Sequence, residues 1–228
     1  MQKRLQINQT QGFLLGIVVL AAFFRFYGLD WDQSQHLHPD ERFLTMVGNA
    51  MKVPESVFDY LDPRRSTFNP ANIGYTFFVY GIFPVTLNKL TAVLLSNDTY
   101  NAFTLQGRFL SGLADIFVVL FTFKTVELLE KRFRLPLSLK YWASFFYAIS
   151  VLPIQLAHFF AVDTFLNLFM FASFYFALRY SLRHRWFDLA LSAFLFGLAI
   201  SSKVTAFFIL PLNLIFMGTS LTMVASLW

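Results

Sequence analysis

The stretch DWDQSQHLHPDER, residues 30–42, gathers Asp30, Asp32, His36, His38, Asp40 and Glu41 in a chain of which only 14% is charged. Carboxylates at that density suit three tasks: taking a proton from an acceptor hydroxyl or amine, ligating a divalent metal, or opening a helix. The last follows from local rules alone. Pro39 suits a first helical position, and Asp40 and Glu41 then fall in the first turn, where free backbone N–H groups favour negative charge. On the chemical alternative, Asp40 and Glu41 are the candidate catalytic pair, and Glu41, Asp163 and His38 are candidate ligands for a divalent cofactor metal. His36 shares the donor type, although two histidines in a loop commonly have no such task.

Three residues farther along bear on the same chemistry as candidate substrate-binding groups. Arg108 is a possible phosphate contact. Asp163, in HFFAVD, either caps the helix that follows or supplies a second acid, directly or through a metal. Lys203 is either an interfacial lysine with its stem in lipid or a cation for the phosphate of an anionic lipid.

Whether these groups meet depends on the elements that carry them. With 228 residues, 57% hydrophobic content and 31 Phe, the chain exceeds the ~45–50% apolar share of soluble domains and belongs in a bilayer. The expected fold class is all-α: a polytopic membrane bundle of about six transmembrane helices with external juxtamembrane amphipathic helices. Zero Cys excludes disulfides, thiolate metal sites and a cysteine nucleophile. A net charge of +5 in a soluble chain would suggest nucleic acid, but here basic cytoplasmic loops account for it, so no nucleic-acid partner is expected.

Residues 11–27 are apolar except for Arg25, follow Lys3 and Arg4, and lack a small-residue cleavage site. They predict a retained first span with a cytoplasmic N-terminus. Residues 28–107 hold eight acids and five bases, which fits an external loop. Within it, residues 39–51 predict a short amphipathic helix through Phe43, Leu44, Val47, Ala50 and Met51. Residues 73–95 are apolar enough to cross but are interrupted by Gly81, Pro84, Asn88 and Lys89. A crossing there would turn the basic loops around Lys131 and Arg183 outward, so an external juxtamembrane or re-entrant segment is expected.

The remaining spans are expected at residues 108–123, 139–157, 164–180, 186–201 and 204–218, with a tight external hairpin at Ser201-Ser202-Lys203 and a tail, 219–228, too short to cross again. The domain reading is one module over 1–228, divided into the loop at 28–107 and the membrane part at 108–228. This topology brings Asp40, Glu41, Asp163 and Lys203 to the external end of the bundle, on the outer face of a plasma (inner) membrane. Arg25 is expected to snorkel, and Asp115, about two turns inside its span, to face a neighbouring helix.

In order along the chain, RFYGLDWDQSQHLHPDERF, GRFLSGLADIFVV, AHFFAVDTFLNLFMFASFYFAL and FGLAISSKVTAFFILP resemble the amino-terminal half of GT-C membrane glycosyltransferases. The likeness is strongest to the branch of protein O-mannosyltransferases and aminoarabinose transferases that use polyprenyl-phosphate sugars. It implies that Asp40 and Glu41 are the acid pair of the first external loop, with Asp40 activating the acceptor. It further implies that Asp163 is the second-loop acid, that Lys203 ends a Gly-Leu-Ala-x-x-Ser-Lys stretch contacting lipid phosphate, and that Arg108 is the arginine opening the second span. Members of the family run on for many more spans, so an incomplete chain, or a second polypeptide supplying the missing helices, is expected.

Two functions from different classes follow. One is inverting transfer of a sugar from a polyprenyl-phosphate-linked donor to an acceptor at the external face; the other is a non-catalytic or truncated membrane subunit that keeps the scaffold and binds lipid or partner helices. A transporter is disfavoured, because the ionisable groups gather at one face rather than at midplane broken helices.

Overall fold

The apolar runs fold as helices, the arrangement in which a chain in lipid satisfies its own backbone polar groups. The computed structural model describes residues 2–218, with side chains from Gln11 onward, and is all-α. The tail at 219–228, expected to make no further crossing, and the side chains of Lys3 and Arg4 lie outside the described residues. In chain order the helices are α1 (Gln2–Phe26), α2 (Pro39–Ala50), α3 (Val57–Leu61), α4 (Phe83–Leu94) and α5 (Tyr100–Phe133). They continue with α6 (Leu139–Ala148), α7 (Val151–Ala157), α8 (Val162–Arg183), α9 (Trp186–Ser202) and α10 (Leu210–Gly218), and 3-10 segments occupy Pro70–Ile73 and Val204–Ile209.

Among the described residues two helices, α5 and α8, are long and apolar enough to cross a membrane by themselves. α5 is 34 residues, roughly 50 Å, against a hydrocarbon thickness of ~30 Å, so its ends project beyond any bilayer it crosses. It begins at Tyr100, which places Arg108 in its third turn rather than at its start. Outward-facing Phe109, Leu113 and Phe117 recur every fourth residue along it and stay 36–47% exposed, an apolar stripe suited to lipid.

The single span expected over 139–157 is two helices, parted at Ile149-Ser150. Pro153 explains the break: it has no N–H to offer the carbonyl four residues back, that of Ile149, and its ring crowds it. Residues 73–95 are likewise divided. Pro84, read from sequence as an interruption, sits at the start of α4, where a missing N–H costs nothing.

The core lies under the acidic stretch. Leu44 and Val47 of α2 and Met51, its C-cap, are fully or nearly fully buried in one cluster with Phe103 of α5, Phe160 and Phe165 of α8. α8 and α9 are tied by reciprocal bonds: the Ser173 hydroxyl donates to the Ser192 carbonyl and the Ser192 hydroxyl to the Ser173 carbonyl, each at 2.9 Å. Such small residues let two helix backbones approach closely.

Candidate active site

Glu41 and Asp32 do not face solvent. Both are buried, and both clasp one guanidinium, that of Arg108, itself 1% exposed. Arg108 Nε donates to Glu41 Oε1 at 2.8 Å and Nη2 to Glu41 Oε2 at 2.6 Å. Nη1 and Nη2 donate to Asp32 Oδ1 and Oδ2 at 3.0 and 2.8 Å, and Nη1 also reaches the Leu29 carbonyl at 2.7 Å. A guanidinium has five N–H groups, and these bonds occupy all of them. The Trp31 ring closes over the cation at 5.4 Å.

Burial by itself would raise the Asp32 carboxyl, but the bonds from Arg108 and the Leu37 N–H, together with the Arg108 charge, hold it below its ordinary value. The expected phosphate contact is therefore bound up in a closed clasp, and Glu41, expected as catalytic residue or metal ligand, turns inward from Asp40. The sequence signal for this clasp is Asp32, a further carboxylate of the same acidic stretch, to which local pattern alone gives no role.

The clasp sets the position of another loop. Glu41 Oε1 also accepts the Phe160 N–H at 2.7 Å, which fixes the entry to α8 against the start of α2. Gly107 makes room, because a Cβ there would collide with the Phe160 ring. The start of α8 is thereby held beside α2. Its N-cap is Ala161, not Asp163; Asp163 lies in the first turn, and its Oδ1 accepts from Lys203 Nζ at 2.7 Å.

Lys203 follows α9 in extended conformation rather than in a compact hairpin, and its backbone N–H caps the helix on the Ala199 carbonyl. Both members of the ion pair remain open, with side chains 30% (Lys203) and 37% (Asp163) exposed. The Tyr80–Gly81 segment lies against this end of α9: the Gly81 N–H donates to the Ser202 carbonyl at 2.9 Å. Any Cβ at position 81 would run into the Ser201 carbonyl, so only glycine permits that approach.

Tyr80 lies near both acids. Burial above all, with the Asp40 and Asp163 carboxylates beside it, pushes its phenol up to about 12. Asp40, Tyr80, Asp163 and Lys203, far apart in sequence, thus lie at one end of the bundle, where Asp163 and Lys203 are in contact. Two carboxylates sit in the first turns of α2 and α8 and an ammonium sits at the end of α9, each at the helix terminus whose dipole suits its charge. Nothing in the sequence distinguishes Tyr80 from its aromatic neighbours Tyr75 and Phe78.

Among the described residues, no three His, Asp or Glu side chains form a metal-binding set. The Glu41 oxygens are on Arg108 and the Phe160 N–H, and Asp163 holds an ammonium. His38 accepts the Glu41 N–H through Nδ1 at 3.3 Å, and its ring stacks on Phe159 at 4.1 Å. This donor set does not fit a resident divalent ion. His36 is also taken, between Asn101 at 2.9 Å and Thr104 at 3.2 Å.

Residues 101–227, more than half of the chain, match the family described as dolichyl-phosphate-mannose-protein mannosyltransferase. The chain belongs to this family. The mannosyltransferase match contains Arg108, Asp163 and Lys203 and begins after Asp40, Glu41 and Tyr80. It agrees with a membrane glycosyltransferase that has an all-helical fold with spanning helices. No curated protein and no solved structure matches the chain.

A second buried cluster corrects the expectation for Arg25. Rather than snorkelling, Arg25 is fully buried and Nε donates to Asp115 Oδ2 at 2.6 Å, so the neighbour that Asp115 faces is α1. Its Nη1 donates to the Ala148 carbonyl at 2.8 Å, one of the carbonyls left free where α6 stops. The Tyr147 hydroxyl donates to Asp115 Oδ1 at 2.6 Å and accepts from Asn167 Nδ2 at 2.8 Å, so α1, α5, α6 and α8 share one network.

Proposed function

We propose that this chain carries out inverting transfer of a sugar from a polyprenyl-phosphate-linked donor to an acceptor hydroxyl or amine at the external membrane face. The observation that carries this is that the exposed Asp40 and the Asp163–Lys203 pair share one end of the bundle, where the α8 entry is held against the start of α2. Asp40, exposed at a helix start, takes the acceptor proton as the acceptor oxygen or nitrogen attacks C1 of the sugar. The bond between C1 and the phosphate oxygen breaks, and its electron pair leaves with the polyprenyl phosphate. Lys203 stands where an ammonium offsets the negative charge growing on that phosphate.

Arg108 and Glu41 act in this scheme by holding α2 and the α8 entry in place, not by touching substrate. The proposed topology has six crossings and a cytoplasmic N-terminus. Its support is the gathering of acidic first turns at one end, with Lys131, Arg183 and Arg185 toward the other.

The test is transfer of labelled sugar from a polyprenyl-phosphate donor by protein purified from its native membrane with whatever chains accompany it. Asp40→Asn should abolish transfer, a loss of at least ~100-fold for removal of a general base, while donor lipid still binds. Full activity in Asp40→Asn would overturn the proposal. Donor binding with no transfer by the native protein would instead favour the non-catalytic scaffold.

A further inference from the structure

We infer that Asp163 governs release of the spent carrier: by competing for the Lys203 ammonium, it displaces the polyprenyl phosphate that transfer leaves behind. The inference rests on the glycosyl-transfer reading above, with Lys203 as the cation for the carrier phosphate.

The ion pair is built to exchange. One ammonium meets one carboxylate oxygen at 2.7 Å, and both side chains stay partly exposed. A phosphate can therefore reach the ammonium, and an ion pair in such a setting is weak. The backbones behind it are fixed. The Lys203 N–H bonds to the Ala199 carbonyl at 2.9 Å, and the Ser202 carbonyl accepts the Gly81 N–H at 2.9 Å. On the other side, the bond from the Phe160 N–H to Glu41 holds the chain just ahead of Asp163. What can move is the flexible four-carbon stem of the lysine. Asp163 keeps support when the ammonium leaves, because it lies in the first turn of α8, where the helix dipole favours a carboxylate.

Charge gives the exchange a direction. The donor is a phosphodiester with one negative charge. Cleavage between C1 and the phosphate oxygen leaves the electron pair on the phosphate while the acceptor proton goes to Asp40, so the product monoester carries about −1.5 to −2 at neutral pH. Lys203 then holds the product more firmly than the donor, which slows turnover. The Asp163 carboxylate opposes this: it repels the product more strongly than the donor, and it reclaims the ammonium as the lipid departs. Asp163 is in this sense a positioning residue, acting through Lys203 rather than on the sugar.

The test compares equilibrium binding of polyprenyl phosphate and of the sugar-linked donor to purified protein without acceptor. Asp163→Asn should tighten donor binding by about 2- to 5-fold and product binding by about 5- to 25-fold, the range expected for one charge on the donor and two on the product at a partly exposed pair. In turnover, kcat and donor KM should fall together, with a first-turnover burst that the native protein lacks. Asp163→Glu, which keeps the charge, should restore the native affinity ratio, and adding Lys203→Met to Asp163→Asn should cancel the gain. Asp163→Ser, a second neutral replacement, should repeat the shift and serves if the asparagine variant does not fold. A product-to-donor affinity ratio unchanged in the neutral variants, or product binding weakened in them, would defeat the inference. The glycosyl-transfer reading fails separately, through turnover that survives Asp40→Asn, a result independent of the Asp163 affinity ratio.

Discussion

Asp40 and Glu41 are neighbours in sequence, share the first turn of one helix, and have opposite surroundings. Glu41 is wholly buried against a guanidinium with every donor occupied, whereas Asp40 is exposed. One helical residue is a rotation of about 100°, enough to turn one carboxylate into the core and its neighbour toward the open end of the bundle. The comparison separates two uses of acid. In the clasp, two carboxylates and one guanidinium are completely satisfied and hold three chain segments together. In the open cluster, a carboxylate, a phenol and a partly exposed ion pair retain the freedom to exchange partners with a substrate.

Removing the guanidinium should have the largest effect on stability. Arg108→Met strands two buried carboxylates and should destabilise the protein by about 3–5 kcal/mol, read as a fall in thermal unfolding temperature in detergent. Asp40→Asn in the same assay should move stability by no more than about 1 kcal/mol. Equal losses in the two variants would erase the distinction.

A smaller effect is expected at the seam between the two regions. Gly81→Ala forces a methyl onto the Ser201 carbonyl and should cost about 1–3 kcal/mol while lowering turnover, measurable as paired unfolding and transfer assays.

The pH dependence probes the same contrast from another side. Asp32 has its carboxyl held below the ordinary value of 3.8, so its folded-state pKa lies under its unfolded one. Its stabilising contribution is complete above about 4 and is lost as pH falls through the lowered folded value. Acid unfolding of the native protein should therefore steepen below about pH 4, and Asp32→Asn should flatten that limb. The smallest effect belongs to the open pair: Lys203→Met should change stability by only ~0–1 kcal/mol, since both partners are partly solvated, yet should depress transfer.

Much of this is legible from residue types. Pro39 with Asp40 and Glu41 marks a helix start, and the structure begins α2 at that proline. The spacing of Leu44 and Val47 marks its buried face. The break at Ile149-Ser150 is less visible, because a proline three residues into a new helix looks, in a hydropathy pattern, like one inside a continuous span. Arg25 and Asp115 are 90 residues apart, and pattern alone offers no means of pairing them.

The class of the molecule and the chemical identity of its acids and bases are written in the linear order of residues, because hydropathy, charge bias and first-turn preferences are local quantities. Which carboxylate is locked and which is free follows from the packing of distant segments. That outcome depends on which face of α2 meets Arg108, how near Gly107 lets the Phe160 loop come, and how closely Gly81 lets Tyr80 approach α9. These are distances between parts of the chain far apart in sequence, and no local preference encodes them.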